Sequence, residues 1–98
     1  MRLHFERSGG FAGLLIKVTV DTADLPGDKK TGWTRALTEA GFFELPSNLA
    51  GETGPDSFVY ELTAVTAEKE HAVRFSAGNV PEELRPLFRE LTIMARQR

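Results

Sequence analysis

"LHFERSGGFAGLLIKVTV", residues 3–20, sets two alternating stretches around a cluster of glycines. Leu3 and Phe5 are interleaved with His4 and Glu6, while Ile16, Val18 and Val20 alternate with Lys17 and Thr19, the period of half-buried strands. The segment reads as a β-hairpin. Opposed residues of antiparallel strands point to the same face, so the odd-numbered apolar set before the turn pairs with the even-numbered set after it. An odd pair sum requires a loop with an even number of residues. The tightest such register pairs Phe5 with Ile16 and Leu3 with Val18. It leaves Gly10 and Phe11 at the centre of a type II′ turn, for which Gly-X is the signature. A looser loop in the same register contains Gly9, Gly10, Phe11 and Ala12, closed by Ser8 and Gly13.

Working outward, "TADLPGDKKTG" is a connector punctuated by Pro26 and Gly27. Trp33, Ala36, Leu37 and Ala40 then recur at helical spacing, and Gly41 suits the residue after a helix end, which predicts a helix over 30–40. Residues 46–56, "PSNLAGETGPD", form a polar loop long enough to suggest a purpose beyond connection. Phe58, Tyr60, Leu62 and Ala64 alternate with Val59, Glu61 and Thr63, and after "TAEKE" His71, Val73 and Phe75 alternate with Ala72, Arg74 and Ser76, giving a second hairpin. A final helix opens at Pro81 with Glu82 and Glu83 in its first turn, and Leu84, Leu87, Phe88, Leu91 and Met94 or Ala95 form its apolar stripe. Pro86 cannot donate to the Glu82 carbonyl, so either the first turn bends or "PEEL" is a separate turn before a regular helix. The order ββαββα predicts one α+β domain over residues 1–98, a four-stranded antiparallel sheet with both helices packed on one face.

A chain of 98 residues is long enough to bury roughly 65% of its unfolded surface in one core. It has no cysteine, which excludes disulfides and thiolate metal sites and fits a reducing compartment. The start lacks the apolar run of an export signal and no segment approaches a membrane span, so a soluble, cytoplasmic monomer is expected. A net charge of −2 with mixed signs gives no basic footprint for nucleic acid or membrane.

Catalysis has few parts to work with. His4 and His71 fall on different strands in opposite alternation phases, and no serine stands in a nucleophile-elbow context, so the chain is expected not to be an enzyme. No metal or cofactor is expected either: two histidines fall short of a closed metal site, and the glycines match neither a dinucleotide fingerprint nor a phosphate loop. Trp33 and the phenylalanines of "GFFELP" read as core. Phe11 is different, because a large apolar residue at a glycine-flanked tip either folds back over the hairpin or fills a partner's pocket.

If the first strand rises toward one edge of the sheet, the Gly10 and Phe11 tip lies there. A helix of about 11 residues, roughly 16 Å long, then returns the chain so that loop 46–56 and "SAGNVP" reach the same edge. The result is a wedge of neighbouring loops at one end of a sheet.

"ERSGGFAGL", "DTADLP", "AGFFELP", "GPDSFVYELT" and "VPEELRPLFREL" look like corresponding blocks of a known family in the same order, and over nearly its whole length the chain resembles the emfourins. These are protein inhibitors of protealysin-like, thermolysin-type zinc metallopeptidases. The connector "GDKKTGWTRALTEAG" departs from the family pattern in being less acidic. The resemblance implies a reversible inhibitor that blocks the active-site cleft of such a peptidase, with Phe11 filling the pocket for a bulky apolar residue after the scissile bond. Ser8, Gly9, Gly10 and Ala12 would present the tip to the cleft edge, and Pro55 and Asp56 would add contacts from the second loop. The competing class is a non-inhibitory regulatory module that uses the same wedge on another protein.

Overall fold

The computed structural model describes residues 1–10, 14–51 and 57–97. The chain runs β1 (Arg2–Gly9), β2 (Ile16–Asp21), α1 (Gly27–Ala40), β3 (Asn48–Leu49), β4 (Phe58–Val65), β5 (Glu70–Ser76) and α2 (Arg85–Arg96). The five strands make one mixed sheet in the order β2-β1-β4-β5-β3. The α+β class and the ββαββα frame agree with the sequence. The four-stranded antiparallel sheet is corrected: Asn48 and Leu49, within the polar loop, pair parallel to Arg74 and Phe75 and close the β5 edge.

The first hairpin keeps the expected parity but not the expected register. Leu3 pairs with Val20, Phe5 with Val18 and Arg7 with Ile16, two residues further along β2 than the tightest solution. The strands end at Gly9 and begin again at Ile16, so the register on which both expected turns rest is not kept, and Phe11, Ala12 and Gly13 lie outside the described residues. A shift of two keeps every side chain on its face, so the hydrophobic pattern is indifferent to it.

Leu3, Phe5, Val18, Val20, Leu62, Ala64, Val73 and Phe75 form the apolar face of the sheet, and both helices cover it. The Phe88 ring sits at the centre, 5.4 Å from Phe5, 5.4 Å from Tyr60 and 5.3 Å from Phe75. Helix α1 starts three residues before the expected boundary, with Pro26 as its flanking residue and Lys30 N–H donating to the Pro26 carbonyl at 2.9 Å. It ends at Gly41 in the left-handed conformation, φ 62°, as the sequence indicates. Trp33 and Leu37 are buried, and the Trp33 indole N–H donates to Glu90 Oε2 across to α2. "PEEL" resolves into a separate 3-10 turn, Glu82–Leu84, before α2 begins at Arg85 with Pro86 in its first turn. Leu84, Leu87, Phe88, Leu91 and Ala95 are buried and Met94 is partly so.

Candidate functional site

β1 is flanked by β2 on one side and β4 on the other, and its C-terminal end carries the first loop. Gly9 pairs with Phe58, and the Gly10 N–H donates to the Ser57 carbonyl at 3.3 Å. Both glycines have positive φ, 96° and 77°. A Cβ on Gly9 would lie 2.2 Å from the Ser57 carbonyl oxygen, and one on Gly10 would lie 2.6 Å from the Phe58 ring. The glycines therefore let two chain segments press together. Gly10 is buried. Its N–H is held by Ser57, so it braces the loop.

Ser8 is half-buried opposite Val59. Of the expected contact residues, Ser8, Gly9 and Gly10 are thus brought together against the start of β4. Phe11, Ala12, Pro55 and Asp56 lie outside the described residues.

Where the chain re-emerges after the tip, Leu14 is 69% exposed and Leu15 57%, and Phe58 beneath the Gly10 brace is 37% exposed. The Arg7 guanidinium stacks 4.4 Å from the centre of the Phe58 ring. Sequence reasoning centred on Phe11 passed over Leu14, Leu15 and Phe58. The signal was present: Leu14, Leu15 and Ile16 are consecutive, and an alternating strand cannot turn all of them to one core.

The other loops reach the same end. Val59 pairs with Ser76, which leads into the 3-10 turn Ala77–Asn79, and Asn79 Nδ2 donates to the Leu49 carbonyl at 3.0 Å. β3 runs parallel to β5, so the 46–56 loop also travels toward this edge. The flanks of all three loops are therefore neighbours.

The histidines do not share a site. His4 Nδ1 meets the Thr19 hydroxyl at 2.9 Å on the open face, and His71 sits on the core face with Nε2 donating to the Leu45 carbonyl at 2.7 Å. His71 also packs against Phe42 and Phe43, fixing the approach to β3. Among the described residues no three His, Cys, Asp or Glu side chains are placed to hold a metal ion, and no helix is long and apolar enough to cross a membrane.

No curated protein and no solved structure matches the chain. The family model for emfourin matches residues 5–92, a stretch that runs from the middle of β1 to α2 and includes all three loops, so the chain belongs to the emfourin family.

Proposed function

We propose that the protein is a non-catalytic, reversible inhibitor of thermolysin-type zinc metallopeptidases, and that it lodges the loop end of its sheet in the active-site cleft. The observation that carries this reading is the apolar surface of Leu14, Leu15 and Phe58 at a braced strand end, in a chain of the emfourin family. Large apolar side chains exposed together on a small domain mark a contact surface. Phe58 opens β4, which is paired with β1 on one side and β5 on the other, so this part of the surface loses little freedom when it docks. Phe11, which stands between Gly10 and Leu14 in the sequence, is the anchor in this reading for the pocket beyond the scissile bond. Ser8 and Ala12 flank it, and Pro55 and Asp56 contribute from the second loop.

Titrating a protealysin-like or thermolysin-type peptidase with the protein tests the reading. Activity falls to a low plateau near equimolar addition and returns on dilution. Full activity at large excess, with no complex on size-exclusion chromatography, overturns it. A complex that forms while activity persists assigns the wedge to a non-inhibitory regulatory role.

A further inference from the structure

Beside the loop end, between α2 and the β1–β4 strands, lies a cleft of about 380 Å³. Its floor includes Tyr60, Val80 and Phe88, and its rim carries Arg7, Arg85, Arg89 and Arg96. The chain has more carboxylates than cations, 14 against 12, yet among the described residues no Asp or Glu lines this cleft. Among the described residues the ion pairs join the N-terminus to Asp21 and Lys29 to Glu90, and neither uses these arginines.

The rim has a helical origin. Arg85, Arg89, Thr92, Ile93 and Arg96 follow one another at spacings of four, three, one and three, a second stripe on α2 beside the buried one. Like charges four apart on a helix repel mildly, and Arg89 stands between this cleft and the α1–α2 groove, where Glu83 and Glu90 lie. Arg85 is partly committed, with its Nε donating to the Val80 carbonyl at 3.4 Å, which leaves its terminal nitrogens directed elsewhere. Ile93 is 51% exposed among these charges. Arginines around an aromatic floor with an exposed aliphatic residue match the composition of protein-contact centres.

Resting on the inhibitor reading, we propose that this cleft is a second docking subsite, which takes the carboxylate side chains of an acidic surface segment of the target peptidase. The guanidinium fork matches a carboxylate through two parallel hydrogen bonds. Arg7 joins the two surfaces, since it stacks on Phe58 at the loop end and also borders the cleft. Loop insertion and charge pairing then act on one partner from one side of the molecule, and the charges speed encounter.

The test has two arms. In the first, NMR spectra of the intact chain are followed during addition of a capped hexaglutamate peptide, a capped hexaglutamine peptide or inorganic phosphate. Hexaglutamate shifts the Nε–Hε signals of Arg85, Arg89 and Arg96 and the Thr92 amide, and hexaglutamine does not. No shift with hexaglutamate overturns the proposal, and so does equal binding of phosphate, which makes the cleft a simple anion site. In the second arm, the triple variant Arg85→Gln, Arg89→Gln, Arg96→Gln, checked for an unchanged melting midpoint, weakens peptidase inhibition about tenfold or more and flattens its salt dependence. Arg85→Lys, Arg89→Lys, Arg96→Lys restores the salt dependence but only part of the affinity. A triple Gln variant as potent as wild type, with Phe11→Ala impaired, overturns the cleft and leaves the inhibitor reading intact. A wild-type chain that leaves the peptidase fully active removes the peptidase as source of the carboxylates. The peptide titration needs no peptidase and separates that outcome from failure of the cleft itself.

Discussion

At Gly9 an added Cβ meets a backbone carbonyl, whereas at Gly10 it meets the edge of the Phe58 ring. The Ser57 carbonyl accepts from the Gly10 N–H just before β4 and cannot move without losing that bond, but a ring on a half-exposed side chain can swing aside. Gly9→Ala is therefore expected to destabilise by about 1–3 kcal/mol, and more than Gly10→Ala, because it adds backbone strain to a contact that cannot relax. Urea denaturation of the two variants checks the order. Phe11→Ala is expected to separate two quantities that Gly9→Ala moves together. Inhibition weakens by about 2–4 kcal/mol, the range of an interface anchor, while the melting midpoint stays put. An unaltered inhibition constant with a lowered midpoint places Phe11 in the fold and ends the anchor role. The glycine cluster was legible in the sequence as a demand for missing Cβ atoms. Its purpose was not, because a turn with positive φ and a close approach of two strands make the same demand on residue type.

Elements follow the same logic. The period of two located β1, β2, β4 and β5 and their faces, but a register displaced by two residues satisfies it equally, and the loop length that decides the matter has no periodicity of its own. β3 escaped altogether: two residues cannot display alternation, and Asn48 and Leu49 are held by the Arg74 N–H donating to the Ser47 carbonyl at 2.9 Å and by the Asn79 side chain. The apolar stripe of α2 was readable in Leu87, Phe88 and Leu91, but its start was not: Pro86 left two readings of the first turn open, and Leu84 falls in the separate 3-10 turn Glu82–Leu84. Leu87 is buried in that stripe, so Leu87→Ala is expected to cost about 2–5 kcal/mol as a cavity, read as a lower urea midpoint. His71→Ala removes the hydrogen bond to Leu45 and the packing on Phe42 and Phe43. It is expected to cost about 0.5–1.5 kcal/mol for the hydrogen bond alone, with faster amide exchange at Asn48 and Leu49 as the local sign. At the candidate site, the flanks and their convergence were readable from the up-and-down path of the chain. The exposed Leu14 and Leu15 were obscured by the same register choice that placed the turn too early.

The molecule as a whole has one core, to which every strand but β3 and both helices contribute buried side chains. Trp33 reports on the helix contact through Glu90, and far-UV circular dichroism reports on the sheet and helices together. Their urea transitions are expected to coincide, as for a small two-state domain, and separated transitions would show the helices leaving before the sheet. The placement of β1 between β2 and β4 bears on the protein's lifespan. A peptidase must draw a segment of several residues into extended form before it can cut. The stems of the loop, Arg7 on one side and Ile16 on the other, are ladder partners of each other, and Arg7 is paired again with Tyr60. The Arg7 stem cannot be drawn out while β2 and β4 flank it, and Ile16, on the edge strand β2, is held through Arg7. Degradation by the enzymes among which such a protein would work is then paced by its own global opening rather than by their appetite, and its survival in a proteolytic mixture becomes a measure of how seldom the centre of the sheet comes apart.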